Sequence, residues 1–405
     1  MPDTPAPTAD PAPALGLAVR LLTAWATEPA LRTAPAALPS DPGIPALAHV
    51  VAGYGVPEAT GAAARAVAVW AGAAGRGPAH TGLYDGGLSG TLVGLRLGAL
   101  LHPPLHRAAD RLGDRLVEGA GARRWRREGV RLADYDLITG PSGMLLALCA
   151  VGGDVPAGPR LEPFTAQLGA LCDGDDLGRL RTDGYTAHPH LSWLQGRINT
   201  GMGHGVAGLV AALTAALRRT GPEPTTAAAL GRAAGWLAGQ SYVDERGLRT
   251  WPGAATAGPP PPVAAPRQAW CYGTPGVAWA LWDAADVLGD RAAAEAAADA
   301  FTTVAERYDE GFHLSGDRPG DLLGLCHGAA GVLALAEAFE RYARLPAAGA
   351  LRARLVRRLE DGLGRAGVRE GWGPDLLTGA AGALAGLLTA GYGGSRAWLP
   401  CLGLR

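Results

Sequence analysis

The chain has 405 residues, 48% of them hydrophobic, with a formal net charge of −1 at pH 7. This balance gives no global positive field for nucleic acid, and the length is enough for a large core. Five cysteines without a secretory signal argue against a disulfide framework and for a reducing compartment. Because no apolar run approaches the roughly 20 residues that cross a bilayer, we expect a cytoplasmic protein without a membrane span.

The N-terminal segment 1–14 is rich in Pro, Ala, Asp and Thr, and we predict that it is disordered. Helices are predicted over 15–27 and 60–74 as outer or bracing members. The segment 244–267 contains four consecutive prolines and is predicted to be a surface loop. A linker between two domains is the alternative, but repeats continue in phase on either side, so we predict one domain over 15–405.

A Gly-x-x-Gly step followed by an apolar, small-residue run occurs six times, at intervals of 53, 65, 68, 55 and 51 residues. The steps begin at Gly87, Gly140, Gly205, Gly273, Gly328 and Gly379. The segments between the steps are amphipathic, namely 105–119, 161–171, 225–242, 291–308 and 351–363. The runs after the steps, such as 209–216, 277–285 and 332–338, are apolar nearly all round. Outer and inner helices alternating six or seven times predict an all-α fold, an α/α toroid.

Residues just before the first glycine of each step should occupy equivalent places at one end of the toroid. His204, Cys271 and the pair Cys326-His327 precede three consecutive steps, so we expect them at the mouth of one cavity. Two thiolates and one imidazole suit Zn²⁺ with an open fourth position. We therefore predict one Zn²⁺ per chain, held by Cys271, Cys326 and His327. The alternative, that these cysteines are small buried hydrophobic residues, suits the other three cysteines better.

His204, in the sequence Gly-Met-Gly-His-Gly, is interpreted as a proton-transfer residue beside the open metal site. A fourth zinc ligand and a structural histidine at a helix end are the alternatives. Asp136 precedes the second step by four residues, where it either partners a histidine or caps the next helix. Asp375 has the same offset from the last step. The histidines of loop-like sequence are expected at the surface: His80, His188, His190 and His313.

Over all six repeats, roughly 82–394, the chain resembles the LanC-type lanthipeptide (lantibiotic) synthetase cyclases. The resemblance lies in the Gly-x-x-His-Gly motif that contains His204, in Trp270-Cys271-Tyr272-Gly273 and in Cys326-His327-Gly328. It implies an α/α toroid with a central zinc and a Michael-type addition. A cysteine thiol of a dehydrated precursor peptide would add to dehydroalanine or dehydrobutyrine and form a lanthionine or methyllanthionine ring.

The resemblance also implies site roles. Cys271, Cys326 and His327 match the zinc ligands, and His204 matches the active-site histidine. Asp136 matches the aspartate that partners this histidine. Two further active-site positions are matched by Arg267 and Tyr272, of which Arg267 would stabilise the enolate oxygen as a fixed cation.

No dehydratase-sized segment precedes the first repeat, so the resemblance is to the stand-alone cyclase, with a separate dehydratase as a partner. Association with an exporter complex, and through it with a membrane surface, stays open. The 244–267 loop is the candidate for contacting the peptide. Two alternative functions remain: a LanC-like enzyme that adds glutathione or another free thiol to dehydrated residues, and a non-enzymatic toroid scaffold whose structural zinc has four protein ligands.

Overall fold

The computed structural model describes residues 10–33, 38, 40–74, 80–150, 157–255, 267–366 and 372–405. In this part of the chain, the helices form two concentric rings of seven. The inner helices, first to seventh, are Gly43–Ala52, Leu88–Gly98, Pro141–Ala150, Val206–Thr220, Thr274–Leu288, Ala329–Ala338 and Ala380–Gly386. The outer helices are Ala12–Thr27, Pro57–Ala73, Leu105–Ala122, Ala157–Leu171, Pro224–Gly239, Arg291–Arg307 and Pro346–Ala366. The predicted all-α toroid is confirmed.

The ring of inner helices is closed, because each inner helix packs against the next and the seventh packs against the first. The first six inner helices are each followed by an outer helix that covers them. The seventh is covered instead by Ala12–Thr27, which also packs on the first. The sequence does not predict the first inner helix, since no Gly-x-x-Gly step precedes it and Pro45 interrupts its apolar pattern.

Smaller elements connect the two rings. Short helices span Ala30–Thr33, Glu310–His313 and Pro319–Leu323, and 3₁₀ turns span Leu132–Asp134, Gly178–Leu180, Ser192–Leu194 and Leu399–Leu402. The sixth and seventh inner helices continue as π-helical turns over Phe339–Ala343 and Leu387–Gly391. Two antiparallel strand pairs join Ile198–Asn199 to Ala254–Ala255 and Tyr242–Val243 to Arg249–Thr250.

Two predicted segments differ from the structure. The first helix begins at Ala12, inside the segment predicted to be disordered, and residues 1–9 lie outside the described residues. The prediction of a surface loop is wrong for 244–255, where Leu248 and Trp251 are buried and the Trp251 indole donates to the carbonyl of Leu237 at 2.8 Å. The four prolines fall in 256–266, also outside the described residues. The described helices include none long and apolar enough to cross a membrane.

The Gly-x-x-Gly steps are explained by close packing: each inner helix that follows a step begins in direct contact with the loop that leads into it. A Cβ at Gly276 would overlap the carbonyl oxygen of Trp270, and one at Gly331 would overlap that of Leu325. The same overlap, with a carbonyl six or seven residues earlier, occurs at the second glycine of the other four steps: Gly90, Gly143, Gly208 and Gly382. Only glycine fits this approach.

The loops that precede the inner helices are hydrogen-bonded to one another around one end of the ring, and we call these linked loops the collar. Backbone N–H groups donate to the next loop from Leu83 to Ile138, Leu137 to Gly203, Met202 to Cys271, Cys271 to Cys326 and Cys326 to Leu377. A side chain links the seventh loop to the first: Asp41 Oδ1 accepts from the N–H of Leu376 at 2.7 Å and from that of Gly43 at 2.8 Å. The predicted site residues all belong to this collar.

Residues 398–405, which we call the axial segment, lie inside the inner ring beneath the collar. Trp398, Leu399, Cys401 and Leu402 have no exposed surface. A Cβ at Gly403 would lie 3.0 Å from Ala211 Cβ in the fourth inner helix and 3.9 Å from Leu146 Cδ1 in the third. Carbonyls of this segment accept hydrogen bonds from Tyr84, Trp270 and Trp279. The centre of the toroid is therefore packed rather than open.

Candidate metal centre

Cys271, Cys326 and His327 meet where the fifth and sixth loops of the collar adjoin. Their ligand atoms all lie within 4.8 Å of one another, and no other such group of three occurs in the described residues. The two cysteines are 4% and 9% exposed. Within the part of the chain that the structure describes, His327 Nδ1 is buried and makes no hydrogen bond.

This donor set fits zinc. A buried imidazole nitrogen without a partner is costly, and coordination would satisfy it. Zinc bonds of about 2.3 Å to sulfur and about 2.0 Å to nitrogen suit donor atoms this close together. The hydrogen bond that the Cys326 thiol makes to Cys271, together with burial, raises the pKa of Cys326 well above its usual range, and the charge of Arg267 opposes this shift. Two thiolates side by side therefore need a cation.

Asp136 is wholly buried and uses its two oxygens differently. Oδ1 accepts from the N–H groups of Thr139 at 2.9 Å and Gly140 at 2.8 Å, at the start of the third inner helix. Oδ2 lies 2.7 Å from His204 Nδ1, which donates to it. Both sequence interpretations of Asp136 therefore apply. The His204 side chain is 37% exposed, and Nε2 is left as its accessible nitrogen.

Asp375 shows what the same position does without a histidine. Its Oδ1 accepts from the N–H groups of Thr378 at 2.7 Å and Gly379 at 3.0 Å, as Asp136 does in its own loop. The helix cap is thus a property of the repeat. Among the described residues, only the loop of Asp136 adds an imidazole to it.

Tyr272 and Arg267 flank the metal residues in the fifth loop. The Tyr272 hydroxyl accepts from Asn199 Nδ2 at 2.8 Å, and burial raises its pKa to about 12. The ring of Trp193 meets that of Tyr272 edge-on, with centroids 6.5 Å apart. Arg267 lies close enough for its charge to lower the pKa of Cys326.

Close packing joins the loop of His204 to the metal residues. A Cβ at Gly201 would lie 2.5 Å from the carbonyl oxygen of Cys271 and 2.6 Å from the Tyr272 ring, and one at Gly203 would lie 3.9 Å from Cys271 Cβ. Glycine at position 201 therefore allows this contact, whereas a Cβ at Gly203 would make only ordinary van der Waals contacts. The structure places all seven predicted site residues in adjoining loops of the collar.

Sequence reasoning misses Asn199, which is wholly buried and also accepts from the N–H of Gly201 through Oδ1 at 2.8 Å. It misses Asp85 as well, whose left-handed φ of 56° is rare for a non-glycine residue. Burial raises the pKa of Asp85, while His80 and His204 oppose the shift. The sequence Asp85-Gly86 is a turn signal that points to this strained backbone.

The four histidines predicted at the surface differ in their exposure to solvent. His188 and His190 are exposed, as predicted. His80 is half-buried and bonded within the second loop, where Nε2 donates to the carbonyl of Asp85 at 3.2 Å. The surface prediction is wrong for His313, which is 1% exposed and accepts from the N–H of Asp309 at 3.0 Å. His313 is the one buried residue of its short helix, and its ring lies against that of Tyr308 with centroids 5.1 Å apart, which explains the difference.

Comparisons with known proteins agree with this geometry. A family model described as "Lanthionine synthetase C-like protein" matches residues 107–402. Among solved structures, nisin cyclase superposes with a TM-score of 0.75 at 18% sequence identity, covering 95% of this chain and 96% of its own. At that identity the likeness shows the fold alone. No curated protein sequence matches the chain.

Proposed function

The chain belongs to the lanthionine synthetase C-like family, and on that premise we propose that it is a zinc-dependent lanthionine-forming cyclase. Cysteine thiols of a dehydrated precursor peptide would add to dehydroalanine or dehydrobutyrine and form lanthionine or methyllanthionine rings. The observation that carries the proposal is the three-donor cluster with the Asp136–His204 pair beside it in one collar.

Cys271, Cys326 and His327 would hold the zinc ion, and with only three protein donors the substrate thiol would have access to it, as in catalytic zinc sites. When bound, zinc supplies Lewis acidity that lowers the pKa of a substrate thiol, so that thiolate is available at neutral pH. His204 lies outside the donor cluster, and its Nδ1 is engaged by Asp136.

His204 would move the proton. The addition forms a bond between the thiol sulfur and the β-carbon of the alkene and places the thiol proton on the α-carbon. Asp136 holds the Nδ1–H tautomer, so Nε2 presents a lone pair to the accessible side. Nε2 would accept the thiol proton and return it to the α-carbon of the enolate, which leaves the imidazole neutral at the end of the cycle.

Arg267 and Tyr272 would stabilise the enolate oxygen. Because its pKa is about 12, Tyr272 is protonated at neutral pH, and its oxygen already accepts from Asn199. Its own proton is therefore available for donation to an oxyanion. Arg267 would contribute a permanent positive charge on the same side.

Single substitutions separate the metal ligands from the proton-transfer residue. Cys271→Ala and His327→Ala are expected to lose zinc and ring formation together. His204→Ala is expected to keep zinc and slow cyclisation roughly 100-fold, since it removes a general acid–base. Metal content is measured by elemental mass spectrometry, and ring formation by loss of alkylatable thiol in a dehydrated cysteine-containing peptide. Normal zinc content in either ligand variant would overturn the ligand assignment.

The alternatives give different outcomes in the same assay. An enzyme for free thiols would join glutathione to the dehydrated peptide faster than it forms rings. A structural zinc would show four protein donors by X-ray absorption, including His204, and ring formation would not depend on it. Association with a separate dehydratase or with an exporter complex is tested by copurification.

A further inference from the structure

The axial segment joins the metal centre through one side chain. Trp270 directly precedes Cys271, and its indole N–H donates to the carbonyl of Leu402 at 2.9 Å. We propose that Trp270 is a positioning residue of the metal centre. Its hydrogen bond to the axial segment fixes the backbone next to Cys271 and so holds the Cys271 thiol at the correct separation from Cys326. This inference rests on the proposed zinc site.

Trp270 itself is held on several sides. It has no exposed surface. The ring of Tyr84 meets its ring at 76° with centroids 6.0 Å apart, and a Cβ on Gly331 would lie 3.1 Å from Trp270 Cβ. The indole can therefore take one orientation only, and the hydrogen bond to Leu402 sets how deep it lies.

The axial segment is rigid enough to act as a reference. The Tyr84 hydroxyl donates to the carbonyl of Cys401 at 2.6 Å, and the Trp279 indole donates to that of Gly403 at 2.9 Å. At the ends of the segment, Trp398 donates to Thr389 Oγ1 at 2.9 Å, and Arg405 pairs with Asp283 at 3.1 Å. Its carbonyls are thus bound by the second loop, the fifth loop and the fifth inner helix.

The backbone hydrogen bonds of Cys271 hold it less firmly than the side-chain contacts hold Trp270. Its carbonyl accepts from the N–H of Met202 at 2.8 Å, but its N–H reaches the carbonyl of Cys326 only at 3.3 Å. A rotation of the Trp270 backbone would move the Cys271 thiol relative to Cys326. Because metal affinity depends on donor separation, residues that orient the ligands tune it.

Trp279 offers a matched control. Its indole makes the same bond, of the same length, to the neighbouring carbonyl of the axial segment, and it too has no exposed surface. It stacks on Trp282 in the fifth inner helix, and its ring also meets those of Phe339 and Tyr342, none of them a predicted metal ligand. Loss of this bond weakens the anchoring of the axial segment without touching a metal ligand directly.

The experiment compares Trp270→Phe with Trp279→Phe in the full chain. Both variants are expected to lose similar unfolding free energy in urea. Only Trp270→Phe is expected to bind Zn²⁺ roughly 10-fold more weakly in competition with a chromophoric chelator, as when an outer-shell partner is lost. The Co²⁺-substituted protein should also show an altered thiolate-to-metal absorption band for Trp270→Phe alone.

Replacement of each tryptophan by 3-benzothienylalanine, which keeps the indole shape without its N–H, covers the case in which phenylalanine prevents folding. Equal Zn²⁺ affinities and unchanged Co²⁺ spectra in both replacements would overturn the positioning role. So would equal losses of affinity at both positions, which would indicate a general effect of the axial segment. Failure of the unsubstituted protein to bind Zn²⁺ would instead overturn the proposed function.

Discussion

At the scale of single residues, the two oxygens of the Asp136 carboxylate have different partners. One oxygen closes the first turn of a helix, as Asp375 does in another repeat, and the other orients His204. The bond to His204 thus accompanies a cap that occurs in both repeats. Removal of the whole side chain would mix both effects, so an isosteric change is needed to separate them.

Asp136→Asn is expected to keep the cap and lose the orientation of His204. The amide oxygen can still accept from Thr139 and Gly140, but the amide nitrogen would face Nδ1 and favour the opposite tautomer. Cyclisation should fall by about 100-fold or more, with zinc content and unfolding free energy nearly unchanged. Metal analysis, urea unfolding and the peptide assay measure the three quantities.

Asp375→Asn is the control for that prediction, because Asp375 makes the same helix cap as Asp136 but has no histidine beside it. It should leave the cyclisation rate unchanged. A comparable loss of rate in both variants would show that the cap, rather than the histidine, controls activity.

Much of the site follows from the sequence at this scale. Equivalent places in consecutive repeats predict that His204, Cys271 and Cys326 converge, and the structure brings them together. Asn199 and Trp270 escape such reasoning. Their partners, Tyr272 and the carbonyl of Leu402, are 73 and 132 positions away, and no local pattern encodes either contact.

At the scale of elements, the glycine steps determine where the inner helices start. The second glycine of each step lies where any side chain would strike the loop before it. Other helical glycines vary: a Cβ at Gly94 would lie 2.5 Å from the Trp70 ring, whereas some glycines of the outer helices face open space. Gly231, in the outer helix Pro224–Gly239, has no atom within 4 Å of the place a Cβ would occupy.

Alanine should therefore have opposite effects at two helical glycines. Gly382→Ala would overlap the carbonyl of Leu376, in a loop without a metal ligand, and is expected to cost at least about 2 kcal/mol of unfolding free energy. Gly231→Ala should add about 0.5–1 kcal/mol, because alanine loses less backbone entropy in a helix. Urea unfolding of both variants measures the difference. Destabilisation by Gly231→Ala of the same size would contradict this account of the steps.

Periodicity predicts the helices that follow a glycine step and the amphipathic helices between them. It fails for Gly43–Ala52, whose entry is shaped by Asp41 and Pro42 rather than by a glycine pair. It also fails for the strand pair at 242–250, where two residues on each side are too few to show alternation. Tertiary contacts, not local preference, fix both.

At the scale of the whole molecule, one buried carboxyl links the last loop of the collar to the first. Burial, together with the charge of nearby Asp375, raises the pKa of Asp41 to about 8. Folded protein therefore binds this proton more tightly than unfolded chain, whose aspartate pKa is about 3.9. Stability from this group is full below that lower value and is lost as pH rises towards 8.

Asp41→Asn should remove this pH dependence and keep an oxygen for the N–H groups of Gly43 and Leu376. Between pH 6 and pH 9, the unsubstituted protein should lose unfolding free energy at up to about 1.4 kcal/mol per pH unit until the carboxyl has ionised. The variant should lose distinctly less. Urea unfolding of both proteins at pH 6 and pH 9 measures the difference. Equal losses of unfolding free energy in the two proteins would contradict an elevated pKa at Asp41.

The bond between Asp41 and Leu376, which joins the first loop to the last, also determines when the ring of inner helices can close during synthesis. These residues are separated by 335 positions, so a ribosome adding 5–20 residues per second needs roughly 20–70 s between them. Throughout that interval the first inner helix lacks its final neighbour and exposes an apolar face. The nascent chain is thus expected to depend on chaperones until its last repeat emerges.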